Sequence, residues 1–439
     1  MDEGLGELKR RVLPSPESGR DRVNLALALA RSGVRREAVE AYYKARVLGA
    51  EADEVRRGLR ALGVPASPGY CIRAGTPSPC RGPRRGVVVA RATLPVQTQI
   101  TLDEDGALFG VRDCELLSFE LRTLEHLGTV SLPNGARSVI RAPRGLILAG
   151  PDFHVRDDGG AVRSLALEQE SPMAEGPISP YSGASSRETY RTPIVDAEGR
   201  TIVTTTFGRV QVLDRDLRRI AEFRAGPRIS RCIASPRALW FIVREPHPGE
   251  PDGYVGRASV RAFDLDARCL VDVQLERPGR LQDVDAFLSV DDLGAAHVLT
   301  VSPSSQSAHL RVFADDGRLR ADLALPLASP VRAFVARDEE CWIDSDSTLA
   351  RLERGEAVWT SAALPLERWR RDMCPRRSIV DREGAAYMGA DRGIVAIDPS
   401  GATLFEVAEP AFVPLVIDPW ARVLAMKIGA LTRELVAIE

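Results

Sequence analysis

Two spacings of apolar residues divide this chain. Residues 19 to 62 carry apolar positions at the helical period, in a stretch rich in Ala, Leu, Arg and Glu and free of Pro. From residue 85 onward the pattern changes to short apolar runs separated by Asp, Gly and Pro turns, which predicts an all-β region. Val87-Val88-Val89, Ile202-Val203, Val210-Gln211-Val212-Leu213 and Ile394-Val395-Ala396-Ile397 are characteristic runs.

In the helical part Ser18 is placed to cap a first helix, and Ser32-Gly33 to end it. A second helix is predicted from Arg35 to Leu48, with Ala38, Ala41, Tyr42, Ala45 and Leu48 forming one apolar stripe. A third, from Ala52 to Leu62, places Val55, Leu59 and Leu62 together. Pro65, Pro68, Pro77, Pro79 and Pro83 then make residues 63–84 an extended linker. The expected organisation is a helical module over 1–62, the linker over 63–84 and a β domain over 85–439.

The β region repeats a phrase. Pro193-Ile194-Val195-Asp196-Ala197-Glu198-Gly199 returns as Ser378-Ile379-Val380-Asp381-Arg382-Glu383-Gly384, and each copy is followed by a second Gly, at 208 and 393. Acidic turns beginning at Asp103, Asp196, Asp291 and Asp381 are spaced by 93, 95 and 90 residues, each close to twice the length of a four-stranded propeller blade. Weaker turns fill the gaps at Ala142-Pro143-Arg144-Gly145, Ser235-Pro236-Arg237 and Arg337-Asp338-Glu339-Glu340, and a last one falls at Asp418-Pro419-Trp420-Ala421-Arg422. The count predicts a mainly β fold, an eight-bladed β-propeller with seven blades as the alternative. The last unit supplies three strands, near 412–417, 422–427 and 434–438. Its missing fourth strand is assigned to Gly86-Val87-Val88-Val89-Ala90, so that the chain ends meet in one blade and remove a free edge.

The phrase at 378–384, continued by Tyr387-Met388-Gly389-Ala390-Asp391-Arg392-Gly393-Ile394-Val395-Ala396-Ile397-Asp398, resembles the repeats of the pyrroloquinoline-quinone-like (WD40-like) propeller superfamily. Many members of that superfamily bind no quinone and serve as scaffolds, so the resemblance implies no cofactor. The adjacent cysteine pair of the quinoprotein dehydrogenases is missing, and their activity is not carried over. Asn24 to Gly33 followed by Glu37 to Ala45 resembles a single tetratricopeptide repeat, with Ala26, Ala38 and Ala45 at the close helix crossing and Leu25 and Tyr42 at the bulky positions. The pattern departs from that family at Ala30 and Ala50. A lone repeat cannot bury its own faces, so it is expected to dock on the β domain or on another protein.

Composition narrows the function without naming it. Charged residues make up 27% of the 439 and nearly cancel to a net charge of -2, so no overall field draws the chain to nucleic acid or an anionic membrane. The amino-terminal residues offer no apolar run for a signal peptide, and no window is long and apolar enough to span a bilayer, so a cytoplasmic protein is expected. Seven scattered cysteines without a C-x-x-C pair read as reduced thiols, Cys71 and Cys80 in the linker included.

No catalytic constellation emerges. The histidines, 126, 154, 247, 297 and 309, fall in different blades or loops, and the Asp-x-x-Gly turns use residues that hairpin chemistry demands in any case. Two insertions, 167–192 and 244–257, present Tyr181, His247 and Tyr254. A basic cluster, Arg368, Arg370, Arg371, Arg376 and Arg377 around Trp369, could join Arg81, Arg84 and Arg85 into an anion-binding patch. Tyr42 and Tyr43 of the helical unit complete the candidate partner contacts, beside Tyr181, His247, Tyr254, Arg368, Trp369, Arg371, Arg376 and Arg377. The expected function is a non-enzymatic scaffold that holds partner proteins, with no metal and no cofactor. A propeller hydrolase or lyase acting in the central channel and an anion or nucleic-acid binder are the alternatives.

Overall fold

The computed structural model describes residues 18–62, 78, 80–95 and most of 98–439; the longer stretches outside it are 1–17, 63–77, 165–192, 247–255, 276–284 and 363–377. Three helices open it: α1 (Gly19–Arg31), α2 (Arg35–Val47) and α3 (Ala52–Ala61). The Ser18 hydroxyl accepts the Asp21 N–H at 3.2 Å, satisfying one of the free donors of the first turn, and Gly33 ends α1 at φ +76°. The α2 stripe is buried at Ala38, Ala41, Tyr42 and Ala45, and α3 buries Val55 and Leu59. The Tyr42 ring occupies the space that a side chain at Gly58 would need, with Cζ only 2.1 Å from an ideal Cβ there, so α2 and α3 can approach closely.

The rest is a ring of eight four-stranded antiparallel blades. Blade 8 is built from both chain ends: β1 (Val88–Leu94) is its outermost strand, beside β30 (Phe412–Ile417), β31 (Val423–Ile428) and β32 (Arg433–Ile438). Blade 1 contains β2 (Gln99–Leu102), β3 (Leu108–Arg112), β4 (Glu115–Phe119) and β5 (His126–Ser131). Blade 2 contains β6 (Ser138–Ala142), β7 (Gly145–Ala149), β8 (Phe153–Arg156) and β9 (Val162–Ser164). Blade 3 contains β10 (Ile194–Val195), β11 (Thr201–Thr204), β12 (Arg209–Leu213) and β13 (Arg219–Arg224). Blade 4 contains β14 (Ile229–Ala234), β15 (Ala238–Pro246), β16 (Gly256–Asp264) and β17 (Cys269–Gln274). Blade 5 contains β18 (Asp285–Val290), β19 (Ala296–Ser302), β20 (Ser307–Phe313) and β21 (Leu319–Leu325). Blade 6 contains β22 (Val331–Arg337), β23 (Glu340–Ser345), β24 (Thr348–Glu353) and β25 (Glu356–Ala362). Blade 7 contains β26 (Ser378–Val380), β27 (Ala386–Ala390), β28 (Gly393–Ile397) and β29 (Thr403–Val407).

First strands of neighbouring blades meet around the axis, and apolar clusters fill the spaces between blades. Middle strands such as β7 and β28 are buried throughout because both of their faces meet another blade, which is why they read as continuous apolar runs. Outer strands such as β13 alternate exposed and half-buried positions and carry the charges. All eight turns singled out in the sequence join the first strand of a blade to its second, so the eight-blade reading holds. The 244–257 insertion is shorter than expected: β15 and β16 extend through Pro246 and Gly256, which pair with each other.

One turn design recurs. At Asp381 and Asp418 one carboxylate oxygen accepts the N–H groups two and four residues on at 2.8–2.9 Å, and the residue three on takes positive φ, as Gly384 at +88° and Ala421 at +66°. The same device closes third-to-fourth-strand hairpins at Asp214, Asp264 and Asp398, where register shifts mark the bulge that follows such a turn. The second glycine of the repeated phrase has its own cause. A Cβ on Gly208 would lie 1.6 Å from the Gly226 carbonyl oxygen, and one on Gly393 would lie 1.6 Å from that of Val407. Both stand where the third strand of a blade touches the end of the fourth.

The ring is closed without a covalent bond. β1 pairs with β32 from Val88↔Ile438 to Leu94↔Arg433, and Val87 and Glu439 exchange two backbone hydrogen bonds of 2.9 Å. The closing strand is the expected one, running further than expected, to Leu94.

Candidate functional site

Antiparallel pairing gives the ring two unequal faces. First-to-second and third-to-fourth strand turns share one end of every blade, called here the turn face, and the remaining connections share the opposite loop face. Bonds between adjacent blades at these turns confirm this. The Ser235 hydroxyl of blade 4 meets the Asp315 carboxylate of blade 5 at 2.5 Å, and Arg351 of blade 6 donates to the Pro399 carbonyl of blade 7 at 2.9 Å.

The turn face is built from short connections, and several of its charged groups are buried and paired within it. Asp418 and Arg422 are both buried; Nε and Nη2 of the guanidinium reach one carboxylate oxygen at 2.8 and 2.7 Å, and Nη2 also donates to the Leu121 carbonyl of blade 1 at 2.9 Å. Burial pushes the Asp418 carboxyl above its ordinary range while Arg422 pulls it back. Asp291 is buried against His297, with Oδ2 and Nε2 2.8 Å apart. At blade 6 Arg337 stands where other blades place the turn aspartate, and its buried guanidinium donates to the Asp381 carbonyl at 2.9 Å and to that of Arg382. Among the described residues no three His, Cys, Asp or Glu side chains gather as a metal site would require. Cys341, wholly buried, has its thiol pushed up to about 12 by desolvation, so it stays protonated and unreactive.

The helices and the far end of the proline-rich segment both lie on the turn face of blade 7. Ser78 donates its N–H to the Val380 carbonyl at 2.7 Å, and Cys80 accepts from the Arg382 N–H at 3.0 Å. Gly82 donates to Asp381 Oδ2 at 3.0 Å, and Tyr387 donates its hydroxyl to the Pro83 carbonyl at 3.0 Å. A side chain on Gly82 would meet the Tyr387 oxygen at 2.2 Å, so only glycine lets this strap lie so close. Arg84 bonds Asp381 Oδ2 at 2.9 Å and Glu383 at 2.7 Å, and Arg81 pairs with Glu383 at 3.2 Å. Arg382 reaches the other way, to Glu40 of α2 at 2.5 Å, and Lys44 covers Glu40 from within the helix at 2.6 Å. Burial disfavours the charges of Arg84 and Glu383, but their opposite-charged neighbours outweigh it, raising the guanidinium pKa and holding the carboxyl below its usual range. Tyr387 is pushed well above the usual phenol range by burial and by the Asp381 charge. An unbroken apolar cluster including Tyr43, Cys80 and Tyr387 runs from the helices into blades 7, 8 and 1.

These contacts correct two expectations. Tyr42 and Tyr43 are each only 1% exposed; they are core residues of the helical unit and offer no partner surface. Arg81 and Arg84 are neutralised by Asp381 and Glu383, which removes them from the proposed basic patch. Tyr181, His247, Tyr254, Arg368, Trp369, Arg371, Arg376 and Arg377 lie outside the described residues, as do Cys71 and Cys374. The Lys44–Glu40–Arg382–Glu383–Arg84–Asp381 chain went unread in the sequence, although Asp381, Arg382 and Glu383 belong to the repeated phrase. Its strap partners are some 299 residues away, and no local pattern signals that.

The class defined by this architecture is an eight-bladed β-propeller with helices docked on one face. No protein-family model matches the chain, and no curated protein matches it. Among solved structures it is similar to BamB from Moraxella catarrhalis, at 13% identity over 80% of this chain and 99% of that one with a TM-score of 0.48. It is also similar to Kluyveromyces lactis Hsv2, at 11% identity over 72% and 96% with a TM-score of 0.42. Kuenenia stuttgartiensis hydrazine synthase matches at 12% identity over 74% and 97% with a TM-score of 0.42.

Proposed function

We propose that this chain is a non-catalytic platform of the pyrroloquinoline-quinone-like repeat type that holds partner proteins in a cytoplasmic assembly, through its loop face. The observation that carries the reading is the inequality of the two faces. On the turn face no connection between strands is longer than residues 120–125, whereas strands that end at the loop face are joined by the longer stretches 165–193, 247–255, 275–284 and 363–377. Long connections on a rigid scaffold are where recognition concentrates, because they vary without disturbing the packed blades. Three of these four segments carry the aromatic, histidine and arginine candidates Tyr181, His247, Tyr254, Arg368, Trp369, Arg371, Arg376 and Arg377. Aromatic side chains and arginine dominate binding energy at protein interfaces. The helical unit, read as a single tetratricopeptide-like repeat, serves in this proposal as a cap rather than as a second binding module, since its tyrosines are internal.

The test is affinity capture from the native host with the full chain, beside a variant carrying Tyr181→Ala, Tyr254→Ala and Trp369→Ala. The expected result is a stable set of co-purifying proteins that the triple variant loses while keeping its thermal melting temperature. Absence of any stable partner under mild conditions, or full retention of the set by the triple variant, would overturn the reading.

A further inference from the structure

We propose that the helical cap and the strap at 78–87 form one conformational unit, locked to blade 7 by a shared relay of charges, so that loosening the strap releases the helices. The relay runs Lys44–Glu40–Arg382–Glu383–Arg84–Asp381, with neighbouring groups 2.5 to 3.3 Å apart. Its two central members are adjacent residues of a single turn. Arg382 holds the cap through Glu40 and the strap through the Cys80 carbonyl, while Glu383 holds the strap through Arg84 and Arg81. Arg382 and Glu383 also pair with each other at 3.3 Å, so the position of one fixes the other.

The two outer carboxylates of the relay are shielded and the one between them is not. The Glu40 and Asp381 side chains are 8% and 0% exposed, whereas Glu383 is 39% exposed. A relay with buried outer carboxylates favours all of its contacts or none, because a half-formed set leaves Glu40 or Asp381 buried beside an incomplete set of partners. An event at the exposed Glu383 therefore reaches both Glu40 and Asp381. Release would uncover the apolar surface around Tyr43, Cys80 and Tyr387 that the docked unit seals.

Hydrogen exchange on the full chain tests the coupling, because Arg84 pairs with blade 7 and not with the helices. Arg84→Ala is expected to speed exchange of α2 amides by about tenfold, along with those of Ser78 and Gly82, in line with the coupling found within one ion network. Linkage is reciprocal, so Glu40→Gln, made in a helix, is expected to speed exchange at Ser78 and Gly82. Should Arg84→Ala fold poorly, a salt titration of the unaltered chain gives the same reading: cap and strap amides lose protection at one common salt concentration. Faster exchange confined to the strap in Arg84→Ala, or separate salt midpoints for the two segments, would show that cap and strap are held independently and overturn the proposal.

Discussion

A glycine and an alanine, both at positive φ, experience opposite constraints in this ring. Gly393 holds φ +142° with the Val407 carbonyl oxygen where its Cβ would be, so Gly393→Ala must displace backbone as well as adopt a disfavoured conformation. A loss of about 3 kcal/mol or more is expected in urea denaturation, from steric overlap on top of the left-handed penalty. Ala267 holds φ +65° at the turn position that Gly317 and Gly401 fill in blades 5 and 7. Ala267→Gly removes the strain of a Cβ in the left-handed region and is expected to stabilise by about 0.5–1 kcal/mol, after the entropy cost of the added glycine. The buried pair at the seam between blades 8 and 1 is more demanding. Arg422→Ala strands the Asp418 carboxylate in the interior and removes the donors to Leu121 and Arg122, and a loss of about 3–5 kcal/mol is expected on the same measurement.

At the scale of elements, the sequence exposes what is local and hides what is distant. The strand runs, the eight turns and the helix caps were legible because each is fixed by residues within about four positions: Asp381 bonds the amides of 383 and 385, and Ser18 bonds that of 21. The proline-rich strap was not legible as an anchored element, since its prolines signal extension while its anchors, Asp381, Glu383 and Tyr387, come from the far end of the chain. Tyr42 and Tyr43 misled for a related reason. A helical stripe marks a buried face but does not say that the neighbouring position on α2 is also covered, here by an apolar cluster shared with the ring. The docked cap also has a pH signature. Glu383 is held below its ordinary range by Arg84, Arg81 and Arg382, so its share of docking stability is present above the unfolded value of about 4.3 and fades as pH falls through the lower folded value. Glu40, Asp381, Tyr387 and Lys44 are the other titratable groups around it. Small-angle scattering is expected to give a constant radius of gyration from pH 7 down to about 4.3 and a rise below, as the cap leaves blade 7. A radius that stays flat into strong acid would count against this origin of the docking.

At the scale of the whole molecule, the two chain ends hold one another in place. β32 lies between β31 and β1, and β1 has no other strand partner, so the carboxy-terminal residues are interior to blade 8 although they come last in the chain. Leu435, Val436, Ala437 and Ile438 are fully buried, and the strand they form places β1, and through it the strap and cap, on the ring. Removing residues 433–439 is therefore not a trim of a loose end. It deletes the partner of β1 along its length, exposes two strand edges, and leaves the Arg433 guanidinium's bond to the Thr98 carbonyl unmade at the seam with blade 1. A chain ending at residue 432 is expected to lose its cooperative thermal transition and to elute from size exclusion as aggregate. Cutting within residues 63–77, by contrast, leaves every strand pair and every strap contact in place. A chain nicked there is expected to melt as one cooperative unit with the cap fragment still bound, and two separate transitions would show that the cap is tied to the ring by the chain and not by its own contacts.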